Sequence, residues 1–150
     1  MLGNEPIFSI RAELEAITSL GRTPYGERRM IGIIGGTVSG LKLNGRVLPG
    51  GADWQIIRSD GAADIKARYT IETGAGALIM VTSEGLRHGP PEVMDKIAKG
   101  ETVSPADYYL RIQPWFETAS EKYAFLNRLL TVGIGHRLAA GPIYNVFEVI

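Results

Sequence analysis

Cysteine is absent from the 150-residue chain, which removes disulfides, thiolate-held zinc, iron–sulfur clusters and a cysteine nucleophile together. Histidine is scarce: His88 and His136 are the two, and neither stands in a dense set of ligand types such as His-Glu-x-x-His, so no metal site is expected. No apolar run is long enough to cross a bilayer, and Met1–Pro6 lacks a basic segment followed by an apolar one. A cytoplasmic protein without membrane partners is the expectation. Charge of either sign is missing in excess, since 16 basic residues meet 16 acidic ones. Without an overall field or a basic run, nucleic acid is not an expected partner. No glycine-rich loop ends in Lys-Ser or Lys-Thr, no dinucleotide fingerprint joins a strand to a helix, and no Gly-x-Ser-x-Gly surrounds Ser39. The chain is expected to work without a cofactor.

Glycine, in contrast, is abundant, with 19 residues. It is dense from Gly35 to Trp54, a stretch too rich in glycine for helix and too apolar at Val38, Leu41, Leu43, Val47 and Leu48 for a disordered linker. Short strand pieces joined by tight turns are predicted there. Pro49 fixes its own φ, and Gly50-Gly51 can take the positive φ values that swing the chain into Asp53-Trp54. An acid and an indole are thereby delivered together. They form either a pocket rim, with a carboxylate beside an aromatic wall, or a turn stabilised by an Asx-type hydrogen bond above a buried tryptophan.

Period-two alternation runs through the remainder. From Phe8 to Thr18 the even positions Phe8, Ile10, Ala12, Leu14 and Ala16 are apolar between polar neighbours, which predicts a half-buried strand. Gly21–Gly26, with Pro24, is read as a loop, followed by a long strand from Arg28. Trp54–Arg58 continues as strand, and Ala63–Glu72 with Leu78–Ser83 makes a hairpin across Thr73–Gly76. Asp107–Glu117 is a further strand, and Arg128–Leu138 with Ile143–Ile150 a last hairpin. Gly133 and Gly135 lie between strands and indicate backbone crowding.

Two short helices interrupt this series. Pro91 suits a first helical position, Val93, Met94 and Ile97 form a helical stripe, and Gly100 ends it. Thr118 with Glu121 fits a capping box ahead of Tyr123, Phe125 and Leu126. The length suits one domain, residues 1–150. Many similar strands punctuated by glycine predict an all-β fold, a closed antiparallel β-barrel of lipocalin-like or allene-oxide-cyclase-like form, which removes exposed edges and can hold one small ligand.

Several motifs carry a resemblance: Gly35-Gly36-Thr37, the run Gly45-Arg46-Val47-Leu48-Pro49-Gly50-Gly51-Ala52-Asp53-Trp54, Arg68-Tyr69 with Ile71, Tyr108-Tyr109 with Arg111, Pro114 and Phe116-Glu117-Thr118, and Leu126-Asn127 with Gly135 and Arg137. Together they resemble the domain-of-unknown-function 3237 family over nearly the whole chain. The resemblance implies a compact antiparallel barrel, often a homodimer, with no established general activity.

On the strand after Asp107, Tyr109, Arg111, Gln113, Trp115 and Glu117 share one face, and Tyr108, Leu110, Ile112, Pro114 and Phe116 share the other. The first face has the composition of a ligand pocket. In the opposite orientation Arg111 and Glu117 would be solvated. The resemblance, whose pattern retains Arg111 and Glu117, points to the lumen and adds Asn127 and Arg137 to the candidate set. Tyr69 is either core or a pocket phenol. The functional expectation is a cofactor-free lyase or isomerase acting on a small hydrophobic or aromatic carbonyl compound. Asp53 or Glu117 would serve as general base or acid, Arg111 and Tyr109 would stabilise developing charge, and Trp54, Tyr69, Gln113, Trp115, Asn127 and Arg137 would bind substrate. The alternative is a carrier barrel that binds a small ligand without turnover.

Overall fold

The computed structural model describes residues 1–150. Ten strands are arranged as the eight staves of a closed antiparallel β-barrel. They are β1 (Phe8–Leu14), β2 (Thr18–Thr23), β3 (Gly26–Ser39), β4 (Gly45–Val47), β5 (Gly51–Ile57), β6 (Ala63–Thr73), β7 (Leu78–His88), β8 (Tyr109–Thr118), β9 (Thr131–Leu138) and β10 (Gly141–Glu148). One α-helix, α1 (Pro91–Ala98), lies between β7 and β8. It is too short to cross a membrane, and no other helix is long and apolar enough to do so.

The long strand β3 explains how ten strands make eight staves. Along one edge its residues Ile33–Ser39 pair with β1 and its residues Gly26–Met30 pair with β2. Along the other edge Thr37–Val38 pair with β4 and Glu27–Ile33 with β5. Each neighbouring stave is thus two strands laid end to end. From β5 the ladder passes through β6, β7, β8, β9 and β10, and the pairing of Phe8–Arg11 with Ile143–Val146 closes the ring. Closure gives most edge N–H and C=O groups a partner without a second sheet.

Alternation places one residue set inside. Ile10, Val38, Ile71, Ile79, Val81, Phe116 and Val146 belong to a cluster of 15 buried residues filling one part of the barrel. There Phe8 meets Phe116 edge to face, with ring centroids 5.4 Å apart. Next to it, the inward face of β9 carries only glycine at positions 133 and 135. A Cβ on Gly133 would lie 2.6 Å from Ile112 Cγ1, and one on Gly135 would lie 2.6 Å from Leu110 Cγ. These two glycines make room for the inward side chains of β8, as the sequence suggested. A smaller cluster of Ile65, Tyr108 and Leu110 is covered by Val93, Met94 and Ile97 of α1. The helical stripe is therefore a cap on the barrel, and no residue of α1 is itself fully buried.

Some boundaries differ from the sequence reading. The expected Phe8–Thr18 strand stops at Leu14, where the register with β3 shifts and the Leu14 amide turns to the Ala140 carbonyl. The expected loop at Gly21–Gly26 is in part strand: Thr18–Thr23 pairs back on β3 as an exposed arm. β7 continues to His88 because β8 pairs along its whole length. The second predicted helix is a 3₁₀ turn, Ala124–Arg128. Thr118 ends β8 instead of capping a helix, its hydroxyl donating to the Leu78 carbonyl at 2.8 Å. A second 3₁₀ turn, Pro105–Asp107, leads into β8.

Candidate functional site

Beneath α1 the barrel holds a partly open cavity of about 380 Å³, a size suited to one small organic molecule. Ile31, Ile65, Leu110, Met94 and Ile97 supply apolar wall, while Arg29, Asp53, Gln55, Arg87, Arg137 and Tyr144 supply polar groups. Parity explains how charged residues come to be inside: Arg29 shares its strand face with Ile31 and Ile33, Arg87 with Val81 and Ser83, and Arg137 with Gly135. These residues come from β3, β5, β6, β7, β8, β9, β10 and α1, so the cavity exists only when the barrel is closed.

Asp53 is the wall's central carboxylate, 8% exposed. The β5–β6 pairs run Ala52–Arg68 and Asp53–Ala67, then resume at Ile56–Asp64. Between them the Lys66 amide donates to Asp53 Oδ1 at 3.0 Å. Gln55, 2% exposed, donates Nε2 to Asp53 Oδ2 at 3.0 Å, and its Oε1 in turn accepts from Arg29 Nη2. Both carboxylate oxygens are thus fixed by neutral donors. The structure's two ion pairs, Arg46–Glu72 and Arg58–Asp60, involve no cavity residue.

Burial pushes the Asp53 carboxyl above the usual carboxylate range, against the opposing pull of the Lys66 amide, Gln55 and the charges of Arg87 and Arg29. Burial likewise pulls the guanidinium groups of Arg29, Arg87 and Arg137 below their ordinary value, and Arg87 adds its repulsion to the other two. Arginine remains charged even so. The Tyr144 hydroxyl is pushed up by burial and by the Asp53 charge, so it stays a proton donor at neutral pH. Tyr108 buttresses the same end by accepting the Arg137 backbone N–H at 2.7 Å.

The raised Asp53 pKa has a consequence for folding. The folded protein holds this proton more tightly than the unfolded chain. Stability from this group is complete below the unfolded pKa and is lost as pH rises through the folded pKa. Urea-unfolding midpoints of Asp53→Asn should lack that decline when compared with wild type over the acidic range; two parallel profiles would contradict the assignment.

The candidate residues divide on position. Asp53 and Arg137 meet at the cavity, although they are far apart in sequence. The face chosen for the lumen, however, is the outer one. Tyr109 is 43% and Trp115 50% exposed, Gln113 and Glu117 are exposed, and Arg111 is half-buried with its guanidinium 5.0 Å from the Tyr109 ring centre. The inward positions belong to Leu110, Ile112, Pro114 and Phe116, which pack in the core or against α1, while Arg111 and Glu117 on the other face stay in reach of solvent. Trp54, 48% exposed, has the opposite parity to Asp53 and is neither pocket wall nor core. Tyr69 is core, with its hydroxyl pushed up by burial.

Asn127 works on the backbone. Its Oδ1 accepts the Thr118 amide at 2.8 Å, and its Nδ2 donates to the Thr118 carbonyl at 3.0 Å. Asn127→Ala should cost about 1 kcal/mol in urea unfolding and leave ligand binding at the cavity unchanged; a binding defect at full stability would refute the bracing role. Arg29, Gln55, Arg87 and Tyr144 escaped the sequence reading. For Arg29, Arg87 and Tyr144 the available signal was a charged or phenolic residue at the parity of largely apolar positions; Gln55 follows Asp53 on the same face of β5.

Fold and site together define a closed antiparallel β-barrel with a guanidinium-rich cavity beneath a helical cap. The chain belongs to the DUF3237 family, described as proteins of unknown function, whose profile matches residues 3–149. It is 40% identical over 144 residues to a UPF0311 protein of Rhodopseudomonas palustris, covering 96% of this chain and 94% of that one. That protein's crystal structure superposes with a TM-score of 0.93 at 39% identity, over 100% of this chain and 98% of the other. A protein of Acinetobacter baumannii described as beta-barrel like has 43% identity and a TM-score of 0.84, with 99% and 94% covered. The fold extends to a Penicillium herquei protein described as an enzyme, at 21% identity and a TM-score of 0.74, with 99% and 95% covered.

Proposed function

We propose that the protein is a cofactor-free enzyme of the lyase or isomerase kind, which moves a proton beside the carbonyl of a small compound held in the cavity. One observation carries this reading. Asp53 is a buried carboxylate on the cavity wall, fixed by Gln55 and the Lys66 amide, and in ion pair with no arginine. A carboxylate locked onto a guanidinium is held ionised and is a weak base; one raised by burial is closer to the proton affinity that transfer at neutral pH requires. Asp53 takes the proton, while a guanidinium and the Tyr144 hydroxyl stabilise the developing enolate. The distant Penicillium protein called an enzyme lends fold analogy alone.

The carrier reading has its own observation in its favour: three cavity arginines without carboxylate partners can hold an anion with no chemistry. Proton NMR in deuterium oxide separates the two. Small aromatic and α,β-unsaturated ketones and acids, incubated for hours with wild type and Asp53→Asn, should show conversion or deuterium exchange that the variant loses. Binding without exchange in either protein would leave the carrier.

A further inference from the structure

Arg87 is the cavity residue that the fold explains least. It stands on the inward face of β7, its guanidinium makes no hydrogen bond or ion pair within the protein, and its Nε is buried without a partner. Arg29 repeats the pattern: one Nη reaches Gln55, and its Nε is also buried and unpartnered. Arg137 directs one N–H to the neighbouring Leu138 carbonyl. The acidic residues lining the same space are Asp53, whose oxygens are taken by Gln55 and Lys66, and Glu27 and Asp95, which form no ion pair. All three guanidinium groups are half-buried, but the Nε of Arg29 and of Arg87 is buried without a partner, and an uncompensated buried donor of a charged group is costly. Their geometry is a planar fork that matches a carboxylate.

We propose that the cavity takes a small organic acid, with its carboxylate seated on Arg87 between Arg29 and Arg137 and its hydrocarbon part against Ile65, Leu110 and Ile97. This names the substrate class of the active site proposed above and rests on that reading. The apolar lining suits a compact hydrocarbon body, and about 380 Å³ suits an acid of one ring or a short chain. A carboxylate fits better than a phosphate. Of α1 only Met94, Asp95, Ile97 and Ala98 line the cavity, not the helix N-terminus; no lysine lines it, and no glycine loop offers a row of amides. Placed on Arg87, the anion neutralises the arginines' mutual repulsion. Its charge also raises the proton affinity of Asp53 further, which favours Asp53 as the group that accepts and returns a proton.

Calorimetry and ligand-observed NMR with benzoate and cinnamate, their neutral amides, and phenyl phosphate test this on the whole chain. The acids should bind at least about tenfold more tightly than the amides, and more tightly than phenyl phosphate. Arg87→Met should abolish the difference between acid and amide, and Arg87→Lys, which keeps the charge without the fork, should restore part of it. Equal binding of acid and amide by wild type, a preference for phenyl phosphate, or no acid bound at millimolar concentration would each overturn the proposal. The wild-type comparison stands even if a variant fails to fold. Acid binding without turnover would sink the enzyme reading and leave this one; Asp53-dependent exchange on neutral ketones with no acid bound would do the reverse.

Discussion

Asp53→Asn should lower turnover by about 10²–10⁴-fold, the usual contribution of a positioned acid or base. The substitution is nearly isosteric, but its hydrogen bonding is not neutral. The introduced asparagine can still accept the Lys66 amide through its oxygen, yet its new NH₂ would face Gln55 Nε2, which now donates to the carboxylate. Gln55 must then turn its amide over, and Arg29 loses the Gln55 oxygen that it uses. A fall in activity from the single variant could therefore come from displaced arginine as well as from the missing base.

The double variant Asp53→Asn, Gln55→Glu separates these causes. The introduced glutamate offers oxygens to both the new asparagine and Arg29, so the charge and the hydrogen-bond chain are retained while the carboxylate moves two positions along β5. If Asp53 is the base, the double variant recovers wild-type stability in urea and remains inactive. Recovery of turnover would show that the charge matters and its position does not. Inactivity of wild type toward every carbonyl compound tried would remove the catalytic reading altogether.

Gly51→Ala should destabilise the protein by about 2–3 kcal/mol. The added Cβ would lie 2.5 Å from Tyr69 Cβ and 2.6 Å from the Arg68 carbonyl oxygen. These atoms belong to the β6 backbone or are attached directly to it, and Tyr69 is packed in the core, so no flexible side chain can give way. β5 must move off β6 instead, two residues before Asp53, and the bond from the Lys66 amide to the carboxylate is the one exposed to that displacement. A loss of activity larger than the stability loss explains would follow.

The adjacent glycine provides the control. Gly50 has φ +106 with nothing within 4 Å of an added Cβ, so Gly50→Ala costs only backbone strain, about 1–2 kcal/mol. Unfolding in urea at matched pH measures both. A Gly51→Ala protein as stable as wild type would show that β5 and β6 do not need this approach. The two neighbouring glycines thus serve different ends, Gly50 the turn and Gly51 the contact.

Much of the architecture was legible because its causes are local. Alternation in Phe8–Leu14, Ala63–Thr73 and Tyr109–Thr118 reflects a period of two that any half-buried strand must keep, and glycine marks the turns between them. Pro91, the stripe at Val93, Met94 and Ile97, and Gly100 bounded the capping helix to within a residue or two. The Thr118–Glu121 capping signal did not start a helix: Thr118 is the last residue of β8, its hydroxyl donating to the Leu78 carbonyl and accepting the Ser120 amide, and the 3₁₀ turn begins only at Ala124.

The site was legible in part. Asp53 and Arg137 were named and do line one cavity, whereas Tyr109, Arg111, Gln113, Trp115 and Glu117 were assigned the wrong side of β8. Parity sorts residues into two sets with certainty, but it does not say which set is inside. On β8 the more apolar set, Leu110, Ile112, Pro114 and Phe116, was buried, but the polar aromatic set has the composition of a pocket wall, so composition alone argued both ways. By itself the sequence determined most of the strands, their turns and the partition of each strand into two faces, because these depend on neighbouring residues; β2 escaped it because it is held only by its pairing with β3. The tertiary structure alone decided which face became the interior and brought Arg29, Asp53, Arg87, Arg137 and Tyr144 together from five strands, because closure of the ring is a property of all the staves at once.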